Sequence, residues 1–363
     1  MEQENGVTLA EIFRRLIRNT GPISLSQYMG ESNARYYASR DPLGAPGDFV
    51  TAPEISQMFG ELLGLCLAQA WIDQARPARF VLAEIGPGRG TLMADILRAI
   101  RAVPAMADAA DVHLIEASPA LRARQRQTLG DGITWHDHIA TLPDAPLFLV
   151  ANEFFDALPI RQFTRHGAGW RERQIGLEDG TLRFGLGPET AFPLLAARIM
   201  GTAPGEIVET CPAAGPIAAE IATRIARRGG AALIVDYGGW RSLGDTFQAV
   251  KAHTPVDPLA EPGEADLTAH VDFEALATAM TGAGAAVTGM TTQGRFLERL
   301  GITARAQALA RGMEGAALAA HVAAHRRLTH PAEMGEVFKV IACHPIGCPA
   351  PAGLDPAGPD PAP

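Results

Sequence analysis

Residues 80–91 read Phe80-Val81-Leu82-Ala83-Glu84-Ile85-Gly86-Pro87-Gly88-Arg89-Gly90-Thr91, and this stretch decides the architecture. The run from Phe80 to Ile85 is apolar but for Glu84, as a short strand buried on both faces requires. Gly86, Gly88 and Gly90 follow at alternate positions, ahead of a helical pattern over residues 92–102. Glycine lets a backbone turn sharply after a strand and approach a ligand without a Cβ in the way.

Working outward, residues 112–116, 133–135 and 147–150 read as further strands. Ser118-Pro119 opens an Arg-rich helix between the first two, with Pro at the favoured first position. Strands alternating with helices at this spacing predict a mostly parallel, doubly wound α/β sheet. Residues 160–186 alternate instead and carry an Asp179-Gly180 turn signal, which predicts an antiparallel β insertion at about 160–190. A helix near 214–228 leads to a strand over 231–236, and helices near 272–283, 295–312 and 315–328 precede a last strand over 337–342. Upstream, residues 1–75 read as helical. Leu9, Ile12, Phe13, Leu16 and Ile17 fall at helical spacing, a short helix covers 24–29, and a polar, glycine-rich stretch runs from Gly30 to Val50. Thr51 and Glu54 have capping-box spacing for a helix running on towards Trp71. The expected divisions are a helical lid over 1–75, a main domain over 76–345 with helical additions at about 240–330, and a Pro-rich disordered tail over 346–363.

A dinucleotide fingerprint needs G-x-G-x-x-G, which would put glycine at position 91; Thr91 stands there and the third glycine comes early, at Gly90. The G-x-G-x-G form, with Glu84 two positions before it, suits S-adenosylmethionine, which has no phosphate to hold. That ligand needs an acceptor for its ammonium, close backbone approach and a carboxylate for its ribose hydroxyls. Glu84, Gly86, Pro87, Gly88 and Gly90 are the candidates for the first two needs, and Glu116 for the last. Trp135, His136 and Asp137, ending the third strand, are candidates for the adenine side. The competing reading of the glycines is a bare strand–helix turn, and a nicotinamide-dependent oxidoreductase is the reading that Thr91 disfavours.

The strand over 147–150 runs into Asn152, Glu153 and Asp156, interleaved with Phe154 and Phe155. In open α/β sheets ligands sit beyond the carboxyl ends of the strands. A guanidinium acceptor has a pKa above about 12, so a site grips and orients it rather than deprotonating it beforehand. Glu153 and Asp156 could do this as carboxylates, with Asn152 beside them and shared with the cofactor; a helix cap or a purely cofactor-binding role is the alternative for each carboxylate. Asp236, Tyr237, His270, Thr51 and Glu54 are the further substrate-side candidates, although His270 also reads as a structural histidine.

Bulk properties exclude several classes. The chain has 363 residues, 47% hydrophobic, with a formal net charge of −9. That balance disfavours a nucleic-acid binder, because neutralising phosphates takes an excess of Lys and Arg. Four cysteines without a CxxC indicate neither a zinc site nor a disulfide framework, and His321 and His325 lack the glutamate of an HExxH motif, so no metal is expected. No apolar run is long enough to span a bilayer and the first residues lack an apolar leader core; the expectations are no membrane insertion and a cytoplasmic location.

Several blocks in order give a stronger signal: QYM and YYASRDPLGAPGDFVTAPEISQMFGELLG, then AEIGPGRGTLMADILR, NEFFDALPIRQF, LIVDYG, GDTFQAVKAHTPVDPLAEPGEADLTAHVDF and MGEVFKV. Through them, over roughly residues 20–343, the chain resembles the MidA-like family, whose eukaryotic members are the mitochondrial complex I assembly-factor arginine methyltransferases. The resemblance implies a Rossmann-like class I methyltransferase fold with a mostly parallel seven-stranded sheet, helices on both faces and an N-terminal lid. It implies symmetric dimethylation of an arginine on a core subunit of NADH:ubiquinone oxidoreductase, with a protein substrate as partner and a homodimer allowed. It also implies that Gly86, Gly88 and Gly90 line the cofactor site. Asn152, Glu153 and Asp156 would stand at methyl transfer, while Asp48, Phe49, Thr51 and Glu54 would belong to a segment folding over the cofactor. Arg35 stands where the family usually has glycine, and Gly239 where many members have histidine. Methylation of another substrate, or a non-catalytic assembly chaperone, are the competing readings.

Overall fold

The computed structural model describes residues 7–39 and 50–358. The described residues form two compact units. One takes those of 50–155, 215–240 and 273–358; the other takes those of 7–39, 156–214 and 241–272.

The first unit is the predicted α/β domain. The strands along the main path of its sheet are β1 (Phe80–Ile85), β2 (Ala110–Ile115), β3 (Ile133–His136), β4 (Leu147–Asn152), β5 (Gly230–Gly239), β6 (Ala286–Val287) and β7 (Phe338–His344), and the two-residue strand Thr291–Thr292 pairs with β7 beside that path. They lie in the order β6-β7-β5-β4-β1-β2-β3. The pairs from β3 through to β5 are parallel, whereas β7 runs antiparallel to both β5 and β6. Every residue of β1 and β4 is buried, which explains why each reads as an apolar run interrupted by one polar residue, Glu84 in β1 and Asn152 at the end of β4. Strand order reverses between β1 and β4, so the loops leaving their carboxyl ends flank the topological switch point. On the sheet, helices Gln57–Asp73 and Thr91–Ile100 cross at Gly60 and Gly64. A Cβ at Gly60 would fall 2.5 Å from the Asp95 Cβ, and one at Gly64 3.1 Å from the Ile96 Cα. These two glycines are there for packing. Phe59, Trp71, Phe80, Ile96, Phe148 and Phe296 build the core beneath them.

The second unit contains the predicted insertion. Arg161–His166, Gly169–Glu178 and Thr181–Thr190 form an antiparallel meander, joined by Ile207–Thr210 and Ile23–Ser24. Asp179 and Gly180 take φ of +49° and +78°, the positive pair that a tight two-residue hairpin demands. Gln248–Lys251, Thr254–Val256 and Asp266–Thr268 make a small second sheet. Helix Leu9–Thr20 opens with a full Thr8–Glu11 capping box, and its Leu9, Phe13 and Ile17 pack with Tyr28, Ile160, Ile175 and Leu267.

Several expectations change. The boundary expected at residue 75 falls near 50, because helix Gln57–Asp73 belongs to the core of the parallel-sheet unit. Residues 241–272 form short strands rather than helical additions. The helix expected over 24–29 runs from Leu25 to Ser39. The helix expected to open at Thr51 is two, Ala52–Ile55 and Gln57–Asp73, broken at Ser56, whose backbone is extended and whose hydroxyl accepts from Met58 N–H at 3.2 Å. A second break, at Gly301 (φ +90°), splits the helix expected over 295–312. The tail also packs as far as it is described: Leu354 is buried, the Cys66 thiol donates to Ala352 O at 3.3 Å, and Arg299 pairs with Asp355 at 2.8 Å. Pro- and Gly-rich composition argued against packing, but Pro351 and Leu354 are apolar and cover a core edge. Among the described residues no helix is long and apolar enough to cross a membrane. Asp48 and Phe49 lie outside the described residues.

Candidate functional site

The loop after β1 runs through Gly86, Gly88 and Gly90, with φ of +66°, +51° and +82°. L side chains rarely take this region, which explains the alternate glycines. Space is as restrictive as angle: a Cβ at Gly86 would sit 3.2 Å from Phe154 Cδ2, and one at Gly90 3.1 Å from Leu129 Cδ1.

Glu84 is buried in β1 just before this loop. Its carboxyl accepts from Met93 N–H, and its Oε2 has no hydrogen-bond partner among the described residues. Burial, reinforced by Glu116, pushes the carboxyl up to about 8. A buried carboxyl with an unmatched oxygen is costly unless a cation or donor meets it.

Glu116, at the end of β2, accepts from Ser118 N–H at 2.7 Å on one oxygen and from the Gln125 amide at 3.2 Å on the other. Burial raises its pKa as well. The fully buried Gln125 was not foreseen. Its amide nitrogen also donates to Gly88 O at 2.8 Å, and its oxygen accepts from the Trp135 indole at 2.8 Å. One side chain thus ties the glycine loop, the β2 acid and the end of β3 together. The only sequence signal was a polar residue four positions after Leu121, on the helix's inward face.

The β3 trio is engaged within the protein. Arg126 lies over the Trp135 ring at 4.5 Å, His136 bridges His113 at 2.8 Å and Thr141 at 2.7 Å, and Asp137 pairs with Arg122 at 2.6 Å. Burial and His113 lower the His136 pKa.

At the end of β4, Asn152 is buried; its amide nitrogen donates to Glu153 Oε1 at 3.0 Å, while its Oδ1 has no partner among the described residues. Glu153 takes φ +51°, which costs a side-chain-bearing residue on the order of 1–3 kcal/mol and clusters at functional sites. Its N–H donates to Val235 O at 2.9 Å, and its Oε1 also accepts from Ala52 N–H at 3.3 Å. Asp236, buried at the end of β5, accepts from the N–H groups of Phe155 at 3.0 Å and Tyr237 at 2.9 Å. It therefore props the turn that carries Glu153. Tyr237 meets Phe338 edge to face at 5.5 Å.

The capping box expected of Thr51 and Glu54 does not form: Thr51 makes no side-chain cap. Glu54 reaches across instead, accepting from the Thr91 hydroxyl at 2.5 Å and lying 3.8 Å from Arg89.

Asp156 and His270 fall in the other unit. Asp156 is buried and its carbonyl accepts from Ala269 N–H at 3.0 Å. Asn33 binds both strands nearby, donating to Ala157 O at 3.0 Å and Leu267 O at 2.8 Å. Tyr37 donates to Asp266 at 2.7 Å, and burial together with the Asp266 and Asp156 carboxylates raises its pKa well above the usual range. His270 is exposed, and its N–H donates to the Thr246 hydroxyl at 2.8 Å. His321 and His325 contact Ala306 O and the Thr303 hydroxyl, each at 3.0 Å, and no group of three or more potential ligands for a metal occurs among the described residues.

The parallel-sheet unit fits S-adenosylmethionine: an unmatched buried carboxylate faces the need of an ammonium, a left-handed glycine loop permits close approach, and an acid ends the second strand. Comparison with known proteins agrees. Residues 62–291 match the family described as "Putative S-adenosyl-L-methionine-dependent methyltransferase". The chain is 37% identical to "Protein arginine methyltransferase NDUFAF7, mitochondrial" of Xenopus laevis, covering 91% of this chain and 82% of that protein. Against the human protein of the same name it is also 37% identical, with 91% and 81% covered. A crystal structure from Burkholderia thailandensis, bound to S-adenosyl-homocysteine, superposes with a TM-score of 0.81 at 32% identity, covering 95% of this chain and 93% of that one. These relatives correct one expectation. The cytoplasmic location conflicts with the mitochondrial location in the names of the animal relatives, and it is withdrawn. Sheet order, glycine loop and relatives converge: the chain belongs to this family of S-adenosylmethionine-dependent methyltransferases.

Proposed function

We propose that the chain is a protein-arginine N-methyltransferase that makes symmetric dimethylarginine on a core subunit of NADH:ubiquinone oxidoreductase, in support of its assembly. The observation that carries this reading is the identity of 37% over 91% of the chain to relatives named protein arginine methyltransferase.

When bound, S-adenosylmethionine supplies an electrophilic methyl group. Glu84 meets its ammonium, Gly86, Pro87, Gly88 and Gly90 give the close backbone approach, and Glu116 takes the ribose hydroxyls. The adenine lies at the end of β3, where Trp135, His136 and Asp137 shape the strand end although their side chains are engaged within the protein. Asn152 offers its unmatched Oδ1 to the cofactor or the acceptor.

Glu153 grips the guanidinium, localises its charge and turns one nitrogen towards the methyl group. Such positioning, rather than prior deprotonation, is what a group with a pKa above about 12 allows. Thr51 and Tyr237, in the same unit as Glu153, stand on the acceptor side. Asp236 acts from behind, through the turn it braces.

The test is mass spectrometry of the complex I core subunits from cells with the wild-type chain, without it, and with Glu153→Gln. Symmetric dimethylarginine present only with the wild type supports the reading. An unchanged arginine methylation pattern in all three refutes it. Purified Glu153→Gln should keep its affinity for S-adenosylhomocysteine and lose about a hundredfold in turnover.

A further inference from the structure

Two contacts made by one short segment stand out in the parallel-sheet unit. Ala52–Ile55 is a single helical turn with an extended residue on each side, Thr51 and Ser56. From it the Glu54 carboxylate accepts the Thr91 hydroxyl at 2.5 Å and lies 3.8 Å from the Arg89 guanidinium. Arg89 and Thr91 flank Gly90, the last glycine of the cofactor loop. From the same turn the Ala52 N–H donates at 3.3 Å to Glu153 Oε1, an oxygen that also accepts from Asn152 at 3.0 Å. Thr91 lies 37 positions from Glu54, and Glu153 lies 101 from Ala52, so neither contact is a local consequence of the helix turn.

We propose that the turn at 51–55 is a clip joining the cofactor loop to the catalytic carboxylate, with Glu54 as a positioning residue rather than a group that touches the acceptor. The proposal rests on the reading of Glu153 as the carboxylate that grips the acceptor. The physical logic is register. In-line methyl transfer needs the methyl carbon and the acceptor nitrogen at a fixed separation, and a displacement of about 1 Å can cost on the order of a hundredfold in rate. The loop that seats the cofactor leaves β1, whereas Glu153 ends β4, so their separation is open to independent movement of two loops. Glu54 and the Ala52 N–H, two residues apart on one rigid turn, remove that freedom. Two donors on Oε1 also fix the plane of the Glu153 carboxylate, which already sits on a backbone of φ +51° with few alternatives.

The test uses the full chain with Glu54→Ala, Glu54→Gln, Thr91→Val and the double variant Glu54→Ala/Thr91→Val. Three quantities are measured: affinity for S-adenosylhomocysteine by calorimetry, amide hydrogen exchange of the segment 152–155 in the S-adenosylhomocysteine complex, and the single-turnover rate on an arginine-bearing protein with both substrates saturating. The clip predicts that Glu54→Ala and Thr91→Val each weaken binding about tenfold, and that the double variant is no worse than the single ones, since they remove one shared interaction. Exchange at 152–155 should quicken in both although neither change lies there. The saturated rate should fall on the order of tenfold or more, and Glu54→Gln, which keeps an oxygen for the Thr91 hydroxyl, should restore most of each loss.

The clip is overturned if Glu54→Ala leaves binding and exchange unchanged and raises only the KM for the acceptor, the signature of direct acceptor contact. It is overturned equally if the two single losses add in the double variant. A wild-type chain inactive on arginine would sink the arginine reading alone; binding and exchange would still decide the clip.

Discussion

Binding of S-adenosylhomocysteine should release a proton, and its source should be Glu84. That carboxyl is buried in β1, has one oxygen without a partner among the described residues and is pushed up to about 8 by burial. At pH 7 about nine-tenths of such carboxyls are protonated. An ammonium brought against the unmatched oxygen favours the ionised form, so binding expels the proton. Calorimetric titrations at pH 7 in buffers of different ionisation enthalpy should therefore show release of about 0.9 proton per ligand. The sign of the pH dependence follows. The free site is mostly neutral below 8, and ionising it there opposes binding at a cost of about 1.4 kcal/mol for each pH unit below that value. Affinity should rise about ninefold from pH 6 to 7 and about fivefold more by pH 8, then level. Glu84→Gln should abolish the proton release, flatten this profile and weaken binding about tenfold at pH 8, because a charge-assisted hydrogen bond becomes a neutral one. Glu116 is also raised by burial, so the variant matters as a control. Proton release near zero in the wild type, or undiminished in Glu84→Gln, would refute the reasoning.

Other outcomes are as definite. Gly86→Ala must hold an alanine at φ +66° with its Cβ 3.2 Å from Phe154, so the folded protein should bind S-adenosylhomocysteine about tenfold or more weaker by calorimetry, from strain of about 1–2 kcal/mol. A chain ending at His344 should lose about 2 kcal/mol or more in urea unfolding, since it uncovers the surface beneath Leu354 and drops the Ala352 and Asp355 contacts. Gln125→Leu should weaken cofactor binding and shift Trp135 emission to the blue, because the half-buried indole N–H loses its polar acceptor and gains an apolar neighbour.

Much of this was legible in the sequence because it is local. The β1 strand and its alternate glycines announce the left-handed loop within twelve residues, and Asp179-Gly180 announces a turn by its own φ requirement. Whatever depended on partners distant in the chain was not. Glu54 has capping-box spacing, yet its carboxylate goes to Thr91, 37 positions away. Gln125 looks like one more polar residue of an Arg-rich helix until Gly88, Glu116 and Trp135 converge on it. The second unit is assembled from three separated segments, and no pattern in 7–39 tells that it folds with 156–214 and 241–272. Composition misled at the C-terminus, where two apolar residues outweigh the surrounding prolines.

The central claim is that the Glu84–Gly90 bend seats the methyl donor next to Glu153. A crystal structure of this chain with S-adenosylhomocysteine bound tests it most directly. The account predicts the ligand ammonium at Glu84 Oε2, the ribose hydroxyls at Glu116 and the sulfur turned towards Asn152 and Glu153. A ligand lodged elsewhere, or one that leaves the Glu84 oxygen still unmatched, would contradict it.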